Sequence, residues 1–439
     1  MRKPVAVFAA ALLGSASLVV AQNPTTLPAG AGHDAVQGAC AGCHSVNVVI
    51  NSSGYSAEGW QQTVNSMIGR GAKVPPDQVA AMVDYLAKNF PPQPAPPAVI
   101  LPGTEKVSFQ EWALPTPDSF PHDPMAAPDG SIWYTGFKVN LLGRVDPLTG
   151  KIREYTLKTP KSAPHGLTFD KNGNIWFAAH DRPYMGKIDP ETGEVTEYPL
   201  PQAALGAHTP LFDSKGNLWF TLITSNRIGR LDPRTGDVKL AVSPTARSLP
   251  YGLVITSKDV PIFAEFGSNK LAGVDPNTLE IHEWTLPNAD TRIRRLTITP
   301  DDMIYYADFD RGYLSRFDPK NGEVTEWPSP GGPRSQPYAM AVLRGAIWYV
   351  ESGTEPNALV RFDPANEKFQ TWGIPSGGGV VRNMMVTRDG DHLVIAESGV
   401  NKVGLVTVAR HDSSAHLQRR RQPARPGLAR RSPQPTGPR

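Results

Sequence analysis

The chain has 439 residues, with 44 Lys and Arg against 41 Asp and Glu, 44 Pro, 40 Gly and only two Cys. The length allows more than one domain, and two cysteines exclude a disulfide framework. The formal charge of +3 comes from the ends: residues 411–439 hold seven Arg and one Asp, Arg2 and Lys3 add two charges, and 22–410 is left at −5. That mild acidity argues against nucleic-acid binding by the folded part.

Residues 1–21 read as a secretory signal. Arg2 and Lys3 precede an apolar run from Val5 to Val20, and Val19-Val20-Ala21 offers small residues before cleavage at Gln22. Gly14, Ser15 and Ser17 interrupt the run, so a permanent span is disfavoured, and no later stretch is apolar enough to cross a bilayer.

Cys40-Ala41-Gly42-Cys43-His44 contains both cysteines. Two thiols at this spacing can form thioethers to the two vinyl groups of one haem, and the adjacent His can reach the iron. A disulfide here would close too small a loop to stabilise much. Zinc wants four ligands and there is no second Cys pair, and a thioredoxin-like pair would need a βαβ setting. The expected cofactor is therefore haem c, attached through Cys40 and Cys43 with His44 as proximal ligand. Covalent haem attachment takes place outside the cytoplasm, which points to the periplasm.

The motif sits in a segment of about residues 30–90. Ser56 and Glu58 open a predicted helix with Trp60, Val64, Met67 and Ile68 on one face. Pro75-Pro76-Asp77 starts another, striped by Val79, Met82, Val83, Leu86 and Phe90. So short a segment buries little, and haem would supply the missing apolar mass. The sixth iron ligand is Met67, Met82 or no residue, and Met82, in mid-stripe, reads as core. The run of Trp60, Val64, Met67, Gly69-x-Gly71 and Val83-Asp84-Tyr85-Leu86-Ala87-x-x-Phe90 resembles a class I-like mono-haem cytochrome c. That resemblance implies Met67 as the distal ligand.

Residues 91–106 are rich in Pro and predict an extended, semi-rigid spacer. A repeat of 43 to 44 residues follows, marked by His122, His165, His208, Tyr251, Arg294, Tyr338 and Arg382. Five units add an aromatic strand (as Ile132-Trp133-Tyr134), six a Gly-Arg-Val-Asp-Pro-like strand and turn (as Gly143 to Pro147), and units finish on a Val-Thr-Glu-Tyr-like strand (as Val195 to Tyr198). Four short strands per unit predict propeller blades. The segment Phe109 to Pro115 matches a fourth strand but precedes the first unit, whereas the seventh unit stops after three strands. The N-terminal strand is thus expected to complete the last blade and leave no open edge. The predicted fold is a small all-α cytochrome c domain followed by an all-β seven-bladed β-propeller over 107–410, with a disordered Arg/Pro-rich tail over 411–439.

The wording Pro128-Asp129-Gly130-Ser131-Ile132-Trp133-Tyr134-Thr135 and Gly143-Arg144-Val145-Asp146-Pro147 resembles the virginiamycin B lyase (streptogramin lyase) family over nearly all of 107–410. The resemblance implies a seven-bladed propeller. It also implies a magnesium-assisted elimination that opens a cyclic depsipeptide ester, using innermost-strand His, a Glu two residues before the basic His and a Glu three residues after the blade Trp. This chain departs from that pattern. Phe120, Ala163 and Gly206 stand two residues before His122, His165 and His208, and Gly136, Ala179 and Leu222 fill the later position of the same blades. Acids occupy it only as Glu265, Asp308, Glu351 and Glu397, so no blade pairs a His with its own acid.

These positions are expected to face the axial funnel. Three imidazoles, with His180 nearby, would serve as a transition-metal site or a general base. Converging carboxylates would serve as a divalent-cation site. The alternative is a channel filled by Arg294 and Arg382 neutralising Glu265, Asp308 or Glu397. Three functions compete. The first is a periplasmic cytochrome serving a propeller that binds and oxidises a small molecule, with a periplasmic electron-transfer protein as partner. The second is a C–O lyase with an appended cytochrome. The third is a non-catalytic cytochrome with the propeller as docking platform.

Overall fold

The computed structural model describes residues 26–41, 46–50, 52, 54–69, 72–410 and 437. The segment read above as a secretory signal, Cys43, His44 and all of the Arg-rich tail but Gly437 lie outside them. Among the described residues four α-helices come first, and no helix is long and apolar enough to cross a membrane.

The helices are α1 His33–Cys40, α2 Asn47–Ile50, α3 Ala57–Gly69 and α4 Val79–Asn89. Their apolar stripes bury Val36, Trp60, Val64, Met82, Val83, Leu86 and Phe90 in one core, against which Cys40 also packs. The Trp60 indole N–H donates to the Phe90 carbonyl at 2.9 Å, joining α3 to the end of α4. Gly32 lets the start of α1 abut α4, since a Cβ there would lie 2.6 Å from the Ala81 carbonyl oxygen. Met67 departs from the expected stripe. Trp60 and Val64 turn inward, whereas Met67 is 36% exposed.

From Val107 onward the chain builds seven four-stranded antiparallel sheets. Blade one runs from its innermost strand Pro121–Ala126 through Ile132–Gly136 and Leu141–Val145 to the outermost Ile152–Thr156. Blade seven takes its first three strands from Val381–Val386, His392–Glu397 and Lys402–Val408, and its outermost from Val107–Ala113. The last pairing runs from Val107 opposite Val408 to Ala113 opposite Lys402, so the ring closes with both ends of the domain in one sheet.

The repeat wording has packing causes. Second-strand aromatics such as Trp133, Tyr134, Trp176 and Phe177 are fully buried between blades. The third-strand glycine opposite them leaves room for the ring, since a Cβ on Gly143 would fall 1.9 Å from Tyr134. The outermost-strand Glu joins neighbours: Glu154 accepts from Thr116, Glu197 from Thr159 and Glu283 from Thr245, each Thr lying in the preceding loop.

The Pro-rich segment is more than a spacer. The Pro94 carbonyl accepts from Arg334, the Pro96 carbonyl accepts from the Glu355 N–H, and the Leu101 N–H donates to Thr371 Oγ1. Gln370 then exchanges hydrogen bonds with the Glu105 backbone. Residues 94–106 are thus strapped down blade six before turning up as the closing strand, because the backbone groups of a short extended segment find partners on the sheet edge.

Candidate functional site at the axial mouth

Every innermost strand carries the same irregularity. Pairing with the second strand slips between Pro121 and Pro124, and at the matching place in the other six blades. Two residues then oppose one, which is a β-bulge and turns the strand locally. Thr135 stitches the bulge of blade one to blade two: its hydroxyl accepts from the Asp123 N–H at 3.1 Å and donates to the His165 carbonyl at 2.9 Å. Thr221 repeats this between Thr209 and Tyr251.

The bulge turns two consecutive residues per blade toward the axis, giving two tiers. In the upper tier the His122 and His165 rings are 3.8 Å apart, His165 and His208 3.8 Å, and His208 and Tyr251 3.9 Å. Tyr251 and Tyr338 share a short hydroxyl–hydroxyl hydrogen bond across Arg294, which donates to both. His180 stacks on His165 at 5.8 Å. Phe137, Phe266 and Phe309, each one residue beyond the end of a second strand, form a wall above this tier. Around the rim Phe120, Ala163, Leu249, Gln336 and Val380 all adopt positive φ, +49° to +74°. Such strain in non-glycine residues gathers at ligand sites.

The lower tier was not legible in the sequence. Strict alternation sends the residue after His122 away from the axis, but the bulge brings Asp123 inward. Arg295 reaches across to it at 2.6 Å, and also donates to Thr209 Oγ1 and the Arg382 carbonyl. Asn383 donates to the second Asp123 oxygen at 3.0 Å. These contacts plug the channel below the imidazoles.

Burial, assisted by Arg382 and Arg295 at His122 and by the adjoining imidazole and Arg295 at His165 and His208, holds all three pKa values well below the usual imidazole value. All three are neutral at pH 7. His122 Nδ1 is taken by Asp123 at 2.9 Å and His208 Nδ1 by Thr209 at 2.9 Å. His165 Nδ1 is buried with no partner. Ligand atoms of His122, Asp123 and His165 lie within 4.8 Å of one another, the one such group among the described residues. Neutral imidazoles suit a transition metal, but Asp123 is already committed to Arg295.

The expected convergence of Glu265, Asp308, Glu351 and Glu397 is not what the structure has. Each is fully buried but held by its own blade-connecting loop. Glu265 accepts from Ser243 and Ser268, Asp308 from the Arg292 N–H and Arg311, Glu351 from Ser329 and the Gly331 N–H, and Glu397 from Ser376. Side chains at this second-strand end point into the seam between blades, and the next residue faces the mouth. Burial pushes Glu265 and Glu397 up to about 7 and Asp308 up to about 6. The expected neutralisation of these acids by Arg294 and Arg382 is likewise absent, since neither guanidinium meets a carboxylate among the described residues.

Seven four-stranded blades closed in a ring make this domain a β-propeller, and the family model and solved structures that it matches make it virginiamycin B lyase-like. The Virginiamycin B lyase family model matches residues 102–274. Virginiamycin B lyase from Staphylococcus aureus is 25% identical, with a TM-score of 0.62 over 69% of this chain and 100% of its own. A streptogramin B lyase structure is 25% identical at a TM-score of 0.63, over 69% of this chain and 98% of its own. Hydrazine synthase of Kuenenia stuttgartiensis shares the fold at 13% identity and a TM-score of 0.55, over 68% of this chain and 97% of its own. No curated protein matches the chain.

Proposed function

We propose that the chain is an exported c-type cytochrome whose propeller binds a small molecule at the axial mouth and oxidises it, the electrons leaving through haem to a periplasmic carrier. The observation that carries this reading is the path of the strap. Arg334 lies in the loop that enters blade six, and Glu355 in the loop after its second strand, so both belong to the mouth face. They grip Pro94 and Pro96, only a few residues after α4 ends at Asn89. The helical module is therefore leashed beside the opening where the imidazoles sit. An elimination needs no redox partner, and a tethered haem has no evident use in it.

The described residues fit haem c at one point that bears on the reading. Cys40 ends α1 packed against the module core, and Met67 offers an exposed thioether. Cys43 and His44 would complete the attachment as second thioether and proximal ligand. Haem when bound supplies a one-electron centre, so oxidation of an alcohol to a carbonyl, which releases two electrons and two protons, would need the carrier to reoxidise it after each electron, the protons passing to imidazole and on to water. In the propeller, neutral His165 or His208 would accept a proton from a bound substrate; if a divalent transition metal assists, His122 and His165 would hold it and His208 would take the proton. The plug of Asp123 and Arg295 closes the channel beneath.

The test uses the oxidised holoprotein. Its haem absorption is followed while small hydroxy acids and alcohols are added. Reduction that is lost in His165→Ala and His208→Ala, with haem content unchanged, supports the proposal. Linearisation of a cyclic streptogramin B depsipeptide, with the haem spectrum untouched, overturns it in favour of the lyase reading.

A further inference from the structure

Three arginines approach the mouth, and only one meets a counter-charge among the described residues. Arg295 is paired with Asp123. Arg294 is caged by rings, its guanidinium carbon 4.1 Å from the Phe309 centroid, 4.5 Å from Phe266 and 4.9 Å from Tyr338. Arg382 lies 4.7 Å over Phe120. The Nε atoms of Arg294 and Arg382 are both buried without a hydrogen-bond partner. A guanidinium has five N–H donors and stays charged. Aromatic faces attract the cation but accept few of its hydrogens. Every acid near enough in sequence register to help is fastened elsewhere, and the facing imidazoles are neutral. The mouth therefore carries two positive charges with unused donors and apolar walls.

We infer that the axial mouth binds a small organic carboxylate, its negative charge met by Arg294 and Arg382 and its apolar part by Phe120, Phe266 and Phe309. This deepens the small-molecule reading by naming the substrate class, and it rests on the propeller alone, without haem. Arg supplies paired donors matched to a carboxylate, which a neutral isostere cannot exploit. Tyr338 gives an internal reporter. Burial alone would raise its pKa, but Arg294, Arg382 and Arg295 together bring it down to about 8, with Tyr251 hydrogen-bonded to it. An anion seated among these guanidiniums would offset their pull and move that titration upward.

The probes are benzoate, its neutral isostere benzamide and inorganic phosphate, titrated calorimetrically into the full-length holoprotein. Benzoate is expected to bind about tenfold or more tightly than benzamide, and Arg294→Gln or Arg382→Gln to remove that preference. Arg382→Lys keeps the charge but not the fork, and should retain part of the preference. It serves as the second variant if loss of a caged arginine unfolds the domain. Benzoate should also raise the midpoint of the near-ultraviolet tyrosinate titration. Equal binding of benzoate and benzamide overturns the inference. So does an unmoved tyrosine titration with no benzoate binding, or phosphate binding without benzoate binding. Benzoate binding without any substrate-driven haem reduction would instead leave this inference standing and remove the redox proposal.

Discussion

Arg295 and Asp123 meet at 2.6 Å across the propeller axis from blades five and one, with side chains only 4% and 3% exposed. Because Asp123 also receives His122 and Asn383, one carboxylate organises groups from three blades. Removing either member strands a buried charge. Asp123→Leu and Arg295→Met are each expected to cost about 3–5 kcal/mol. The double variant Asp123→Leu with Arg295→Met should recover much of it. Urea unfolding of the four proteins checks this, and additive losses would rule out a coupled pair.

The imidazole trio gives stability a pH dependence of known sign. Burial depresses these pKa values in the folded state, so His165 stays neutral there while the unfolded chain gains a proton below about pH 6.5. The stability is therefore complete above about pH 6.5 and is lost as pH falls toward the folded value. His165→Asn should flatten this part of the profile. The urea midpoint of both proteins between pH 7.5 and 5 is the measurement, and parallel curves would show that His165 takes no part.

Gly143 is required by space. A methyl group there overlaps Tyr134, whose hydroxyl is fixed on Glu154 at 2.8 Å. Gly143→Ala should destabilise by about 1–3 kcal/mol, and Tyr134→Leu in the same chain should relieve part of that loss. Thermal unfolding of the single and double variants decides the point.

The strap sets the reach of the helical module. Loosening it with Thr371→Val and Gln370→Ala, which removes the side-chain hydrogen bonds to Leu101, Val99 and Glu105 but keeps the backbone bond from Thr371 to Leu101, should raise protease sensitivity across 94–106 and leave the propeller melting point nearly unchanged. Inserting a long Gly/Ser run between Pro92 and Pro94 should slow any substrate-driven haem reduction, since effective concentration falls with tether length. Unchanged proteolysis would show that the strap is held by other contacts.

Much of the propeller was legible because each blade repeats its physical requirements. Aromatics fill the seams, Asp146-Pro147 and its counterparts make the outer turns, and an orphan strand at Phe109 announces the closure. The upper tier was legible for the same reason, since His122, His165 and His208 recur at one register. Asp123, Arg295 and Asn383 were hidden because a bulge breaks the two-residue alternation from which side-chain direction is read. The direction of the acids is hidden in the sequence for a related reason. Glu265 and Glu351 end their strands one residue short of the mouth, and only the fold shows that their carboxylates turn into the seams. In the sequence the strap shows only as a spacer, because Pro-rich composition reports backbone shape and says nothing of what the carbonyls at Pro94 and Pro96 will find.

The seam between Val107–Ala113 and Lys402–Val408 also fixes an order of events. The strand that seals the ring is made before every other blade strand, while the edge it must join is made only after the other six blades. No partial chain can close the propeller, and the pairing is as non-local as the domain permits, which slows its formation. Until the final blade is made, the sealing strand and the edge of blade one stay exposed. The helical segment upstream, built from short-range contacts, is complete long before. A maturation step acting on that segment would therefore meet it while the propeller is still open.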